Sequence, residues 1–410
     1  MKQLFYALLW GLVCNSALIA QQPAVSTDDQ AVLVKGNNAF AIDLYAHLRT
    51  QPGNLFFSPE SISTALAMTF AGARGKTASE MAETLHFTLP PDRLHPAMGG
   101  LLKDLNAAHD GYQLRLADAL WAQQDYTFLD DFLKLLKTDY GAGLNNVDFK
   151  GSPEAARSII NRWVEQYTED KIKDLLQPGV LDRETRLVLT NAIYFKGDWQ
   201  EQFDKAQIRD EDFHLSAAKD VKVPLMHRDG RFNYFNGGTF QALELPYKTG
   251  QLSMIVFLPN EASGLSALEE SLTPASMQQW LGQLRPASKV ILTLPKFTMT
   301  RQFGLAGTLG AMGMRLAFIK GVADFSGMTG DNDRKLFISA VIHKAFLVVD
   351  EEGTEAAAAT AVVMRGATAV APGPRPKPIV FRADHPFLLM IRDNRSGAIL
   401  FMGRVTDPSK

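Results

Sequence analysis

The chain has 410 residues, a formal net charge of −2 and 46% hydrophobic residues. That is ample for one large core or two smaller ones, and the near-neutral balance argues against a general nucleic-acid binder, which carries a marked basic excess. Cys14 is the one cysteine, so beyond the N-terminal leader no disulfide or thiol chemistry is available.

The leader is Met1-Lys2 followed by the apolar run Leu4 to Val13 and then small residues. This pattern predicts a secretory signal peptide over residues 1–20, cut after Ala20 or, alternatively, after Ala17. It predicts a secreted protein, extracellular or periplasmic, with residues 21–410 as a single domain. No later stretch is long and apolar enough to span a membrane.

Apolar residues at Val32, Phe40, Leu44 and Leu48 predict a helix over Asp28 to Arg49. Ser58 is placed to cap, and Pro59 to open, a helix running to about Ala71. Another helix opens at Gly75. The glycines before it only partly resemble a phosphate loop, since Phe70 stands where the first glycine should be. Leu114 to Ala122 reads as a strand. Asp131 to Thr138 and Pro153 to Tyr167 read as helices, the second with Ile159, Ile160, Trp163 and Val164 on its apolar side. Leu187 to Phe195 is nearly continuously apolar, as a strand covered on both faces would be. Strands follow at Gln241 to Pro246, Leu252 to Leu258 and Lys289 to Leu294, with helical spacing over Leu265 to Leu284. Gly304, Gly307, Gly310 and Gly313 recur every third residue, which suggests close helix packing. A strand rich in β-branched and aromatic residues covers Leu336 to Val349.

The stretch after that strand is the most informative. Gly353 permits unusual backbone angles. Read as a strand from Thr354, the segment puts Thr354, Ala356, Ala358, Thr360, Val362 and Met364 on one face. Glu355, Ala357, Ala359, Ala361, Val363 and Arg365 fall on the other. The first face is small and uncharged near its start. Such a strand can enter a sheet from its glycine end without burying a charge.

The sequence Glu351-Glu-Gly-Thr-Glu-Ala-Ala-Ala-Ala-Thr360 closely resembles the proximal hinge of the reactive-centre loop of serpins. Further resemblances lie in Phe57 to Met68, in Thr190-Asn-Ala-Ile-Tyr-Phe-Lys-Gly-Asp-Trp199, in His385 to Ile391 and in Phe401 to Val405. They span most of the chain. The resemblance implies an α+β fold with a large central mixed β-sheet, two further sheets, about nine helices and an exposed loop over residues 353–378.

It also implies an irreversible inhibitor of serine, and in some members cysteine, proteases. A target protease cuts the loop, is held in a covalent 1:1 complex, and is trapped as the freed strand enters the central sheet. Hinge residues by this carry-over are Glu351, Glu352, Gly353, Thr354, Glu355, Ala356, Ala357, Ala358, Ala359 and Thr360. Residues controlling sheet opening are Ser58, Ser61, Asn191, Trp199, Lys296 and His343, with Lys296 and Glu351 as an ion pair.

Family spacing from Glu351 puts the cut at Ala367–Thr368, suited to elastase-like or subtilisin-like enzymes. Arg365–Gly366 is the alternative, suited to trypsin-like ones. The tract to His385 is longer than usual for the family, with prolines at Pro372, Pro374, Pro376 and Pro378. The protein is expected to be a monomer able to form loop-sheet polymers.

No nucleophile elbow, zinc-protease motif or paired-cysteine motif occurs, so neither an enzyme nor a cofactor or metal is expected. A non-inhibitory serpin acting as carrier or chaperone is the second reading, disfavoured by the small, uncharged hinge.

Overall fold

The computed structural model describes residues 26–107, 111–330, 336–353 and 377–410. Helix α1 (Thr27–Leu48) begins where the Ser26 side chain accepts from the Asp28 N–H, satisfying one of the orphan donors of the first turn. It buries Phe40, Leu44 and Leu48, whereas Val32, expected beside them, is 40% exposed. Strand β1 (Leu55–Phe57) leads into α2 (Pro59–Phe70), capped by Ser58 and opened by Pro59. Every residue of α2 is buried, which makes it an internal strut rather than a surface helix.

Next come α3 (Gly75–Thr84), α4 (Pro91–Asn106), β2 (Tyr112–Gln123), α5 (Asp130–Tyr140), β3 (Leu144–Val147) and α6 (Pro153–Tyr167). In α6, Ile160 and Val164 are buried but Ile159 is 47% exposed, so the apolar side is narrower than expected. The strands β4 (Leu187–Gly197), β5 (Arg209–Ser216), β6 (Lys219–Asn236), β7 (Phe240–Pro246) and β8 (Leu252–Pro259) follow. The helical stretch expected over Leu265 to Leu284 divides into α7 (Leu265–Glu270) and α8 (Pro274–Gln283). Pro274 lacks the N–H that a continuous helix would need, and Thr273 caps a fresh start.

Strands β9 (Arg285–Pro295) and β10 (Phe297–Gly304) precede the short helices α9 (Ala306–Met312) and α10 (Ser326–Thr329). The glycine series there does not serve close helix packing. Added side chains at Gly307 and Gly310 would meet open space, while Gly313, at φ +125°, ends α9. The chain closes with β11 (Ile338–Val349), β12 (Ile379–Arg382), β13 (Phe387–Asp393) and β14 (Ile399–Val405).

Among the described residues the strands form two sheets rather than three. One has nine strands, in the order β1-β14-β13-β8-β7-β6-β9-β12 with β5 on β6. Two of the expected sheets are joined because the 18-residue β6 pairs with β5 near its start and with β7 at its end. Ten α-helices occur among the described residues rather than about nine, three of them seven residues or shorter. The mixed α+β architecture itself is as expected.

The other sheet has five strands in the order β10-β11-β4-β2-β3. Its middle pair, β11 and β4, is parallel, whereas β10 on β11 and β2 on β4 are antiparallel. Strand β4 is apolar almost throughout because both faces are covered. Leu187, Leu189, Ile193 and Phe195 join the main core with α2. Val188 and Ala192 face the other way, into a second cluster roofed by Ala156, Ile160 and Val164 of α6. The period-two alternation of a strand therefore puts Asn191 on the inner side, against α2.

Candidate functional site

Two clusters lie along the parallel seam between β4 and β11. The first is polar and buried beneath the sheet. His343 and Asn191 are direct partners in the β11–β4 register. His343 Nε2 accepts from the Ser58 N–H at 3.1 Å, so the ring proton sits on Nδ1 and is donated to the Asn191 side-chain oxygen. The Asn191 amide in turn donates to Ser61 Oγ and to Asp118. Ser61 Oγ–H also donates to Asp118, at 3.1 Å.

One hydrogen-bonded chain thus ties α2, β2, β4 and β11 together. Ser58, Ser61, Asn191 and His343 are wholly buried. Burial pulls the His343 imidazole down to about 3, so it stays neutral and acts as a fixed donor and acceptor rather than a proton carrier.

Asp118 was not singled out from the sequence. It is partly buried on β2, directly opposite Asn191. Burial pushes its carboxyl up to about 8, Ser61 and Asn191 pull the other way as donors, and the Glu60 charge adds to the rise. Glu60, on α2, is itself pushed up to about 7 by burial and accepts from Asn37 Nδ2 at 2.8 Å. A readable sign of Asp118 existed: it interrupts the apolar alternation of Leu114, Leu116, Leu120 and Ala122 on the inner face of β2.

The second cluster sits where the chain leaves β11. The Trp199 indole N–H donates to the Asp350 carbonyl at 2.8 Å, and its backbone N–H donates to the Glu352 carbonyl at 3.2 Å. The Phe203 N–H donates to the Glu351 carbonyl at 2.8 Å. Trp199 is held in turn by stacking on Tyr247, with centroids 4.7 Å apart.

Gly353 adopts φ +84°. A Cβ there would lie 2.1 Å from Trp199 N and 2.5 Å from Gly197 O, so only glycine fits. Lys296 Nζ pairs with Glu351 at 2.7 Å. Lys205, another residue the sequence did not flag, reaches Glu352 and lies 3.9 Å from Glu351. Burial, the largest single influence, pulls the Glu351 carboxyl upward, but the Lys296 hydrogen bond, a backbone hydrogen bond and the charges of Lys296 and Lys205 together outweigh it and leave the group below its ordinary value.

The structure therefore brings Ser58, Ser61, Asn191 and His343 together beneath the seam, and Trp199, Lys296, Glu351, Glu352 and Gly353 together at its end. Thr354 to Thr360, Arg365, Gly366, Ala367 and Thr368 lie outside the described residues, as does the N-terminal leader. Among the described residues, no group of three or more His, Cys, Asp or Glu could hold a metal ion, and no helix is long and apolar enough to cross a membrane.

Comparison with known proteins sets these features in context. A family model described as "Serpin (serine protease inhibitor)" matches residues 35–408. The leukocyte elastase inhibitor of Equus caballus is 42% identical over 388 residues, covering 92% of this chain and 99% of that protein. The leukocyte elastase inhibitor of Homo sapiens is 40% identical, with the same coverage of both chains. Among solved structures, human thyroxine-binding globulin superimposes with a TM-score of 0.82 at 30% identity, covering 93% of this chain and all of that one. These relatives correct the expected location. The leukocyte elastase inhibitors are intracellular proteins without signal peptides, against the secreted, extracellular or periplasmic placement read from the leader.

Proposed function

The chain belongs to the serpin family of protease inhibitors, and from that premise we propose that it is a suicide inhibitor that traps a serine protease by inserting its cut loop between β4 and β11. The family is one of protease inhibitors rather than enzymes.

The observation that carries the mechanism is the parallel pairing of β11 with β4, with Gly353 seated at the end of that seam. A chain that leaves β11 and folds back at Gly353 runs antiparallel to β11. Because β4 is parallel to β11, the same strand is antiparallel to β4 as well. Its entry replaces one parallel pairing with two antiparallel ones, and parallel pairing is slightly the less stable per residue.

Entry has a local cost. His343 and Asn191 would separate from adjacent strands to the two sides of the new one, roughly 10 Å apart. Asn191 would keep Asp118, its partner on β2. Each loop amide that joins the ladder contributes about 1 kcal/mol net. Over about a dozen residues this exceeds the ordering cost only if side chains are buried too, hence the need for small inward residues at Thr354, Ala356 and Ala358.

In this mechanism the protease serine attacks the loop carbonyl and forms an acyl-enzyme. The cut frees the N-terminal side of the loop. Insertion carries the attached protease to the far end of the sheet and distorts its active site before water completes the reaction. We place the reactive bond at Ala367–Thr368, a site for elastase-like or subtilisin-like enzymes. The names of the horse and human relatives support an elastase target. Arg365–Gly366 would direct the same mechanism to trypsin-like enzymes, and cysteine proteases are a further target class. The seam that takes the chain's own loop would also take the loop of a second copy, giving loop-sheet polymers.

The likeness to thyroxine-binding globulin, solved as a complex with "thyroine", favours a carrier as the second reading. Incubation with an elastase-like and, separately, a trypsin-like protease distinguishes the readings. The expected outcome is a complex that survives denaturing electrophoresis, with a released fragment whose mass starts at Thr368. A fragment starting at Gly366 would move the specificity to basic residues. Complete cleavage without complex by every protease would leave the carrier reading standing.

A further inference from the structure

A cavity of about 480 Å³ opens between the end of α2, the start of α3, α4 and α5, away from the seam. Its walls are mostly apolar, with Phe70, Ala73, Ala78, Pro91 and Leu135 among them. Inside it lies one buried polar group without a partner. His95, on α4, is only 2% exposed, and its Nε2 has no hydrogen-bond partner among the described residues. Buried polar atoms are rarely left so.

The other ring nitrogen is accounted for. His95 Nδ1 lies 2.6 Å from the Tyr140 hydroxyl, at the end of α5. Tyr140 does not line this cavity but a separate one of about 340 Å³. The edge of the imidazole turned from Tyr140 is therefore the edge that carries Nε2. We assign the Tyr140 hydroxyl hydrogen to Nδ1, which gives the buried hydroxyl an acceptor and puts the ring proton on Nε2. Burial holds the imidazole down to about 4, so the ring is neutral and Nε2–H is a single, directional donor.

We propose that this cavity is a small-molecule site for a compact apolar compound bearing one acceptor oxygen, a carboxylate or a carbonyl, which takes the His95 Nε2–H bond. The size and the apolar lining with one directional polar group are those of ligand pockets in general. Two charged side chains also line the cavity, Arg74 and Asp92. Arg74 Nη1 is already engaged by the Ala71 and Ala73 carbonyls. Its positive charge favours a carboxylate while Asp92 opposes one, so the experiment includes a charged and a neutral acceptor.

The test uses the full chain and three probes of one shape: 2-naphthoate, 2-naphthamide and naphthalene. Binding is read as the rise in melting temperature with probe concentration, which reports affinity for the folded state. The acid or the amide is expected to bind at least tenfold more tightly than naphthalene, and which of the two leads identifies the source of the oxygen. His95→Phe, which keeps a ring but loses the donor, should bring the better probe down to the level of naphthalene. Ala78→Leu, which adds bulk inside the cavity while keeping His95 and Tyr140, should abolish binding of all three.

If His95→Phe does not fold, the ¹⁵N resonance of His95 Nε2 in the unaltered protein serves instead and should move on addition of the better probe. Equal binding of naphthalene, undiminished binding in Ala78→Leu, an unmoved Nε2 resonance or no binding at all would each overturn the proposal.

Discussion

Asp118 is a carboxyl under a sheet, pushed up to about 8, with a neutral histidine two bonds along its network. The folded chain keeps its proton to about pH 8, whereas an unfolded aspartate releases it near 4. That extra proton binding stabilises the fold fully below about pH 4, and the contribution is lost progressively as pH rises to about 8. Asp118→Asn supplies the neutral form permanently. We therefore predict equal stability of variant and parent in urea titrations near pH 4. By pH 9 the variant should lead by about 2 kcal/mol, less than the full shift because Asp118 is only partly buried. Glu60 titrates in the same window but is common to both proteins. A gap that stays constant with pH would remove Asp118 as its source.

Gly353 is the other residue with a sharp expectation. With φ +84° and no room for a Cβ beside Trp199, Gly353→Val must break the backbone contacts that pin the hinge. Strain alone is worth about 1–3 kcal/mol. A melting temperature lowered by several degrees is expected, and an unchanged one would mean the hinge is not held by Trp199. The sequence made Gly353 legible as a hinge residue, since few residues tolerate that region of backbone space. Trp199 was named only through the family resemblance, as a residue controlling sheet opening; its bonds to Asp350 and Glu352 depend on which loop crosses the end of β11, which no local pattern encodes.

Among the elements, β4 was the most readable. An unbroken apolar run means cover on both faces, and α2 and α6 supply it. Helix periodicity located α1 and α6 but overestimated their apolar sides at Val32 and Ile159, where the neighbouring elements do not extend far enough to bury them. The long helical spacing before β9 concealed a break because side-chain periodicity continues across Pro274 while the backbone ladder does not. The Lys205 contact to Glu352 joins positions 147 apart, and nothing local encodes it.

Parity along the loop, by contrast, leads directly to a test at this scale. A strand entering between β4 and β11 places Thr354 among inner-face residues near the seam's end. Thr354→Arg would have to bury an unpaired cation there. The variant is expected to be cut at the parent's rate yet to yield almost no trapped complex on a denaturing gel. A parental yield of complex would contradict insertion from this end.

For the molecule as a whole, the α+β class and the family were legible because short motifs from Phe57 to Val405 occur in one order along the chain. The sheet count was not, since it depends on whether β6 bends between sheets or runs through both, and the pattern of alternation is the same either way. Location was misread because an apolar leader is a local feature, whereas the relatives' lack of a signal peptide is not written in this chain.

On the proposed mechanism the intact fold would be metastable, with a strand still to enter the β4–β11 seam. The most direct test is the melting temperature of protein nicked once within residues 354–376, compared with intact protein under the same conditions. A new strand of about a dozen residues, with its amide ladder and buried side chains together exceeding the cost of ordering, should raise the melting temperature by about 10 °C. A nicked protein that melts at or below the intact one would mean that the cut loop stays out of the β4–β11 seam, and the inhibitory mechanism would fail with it.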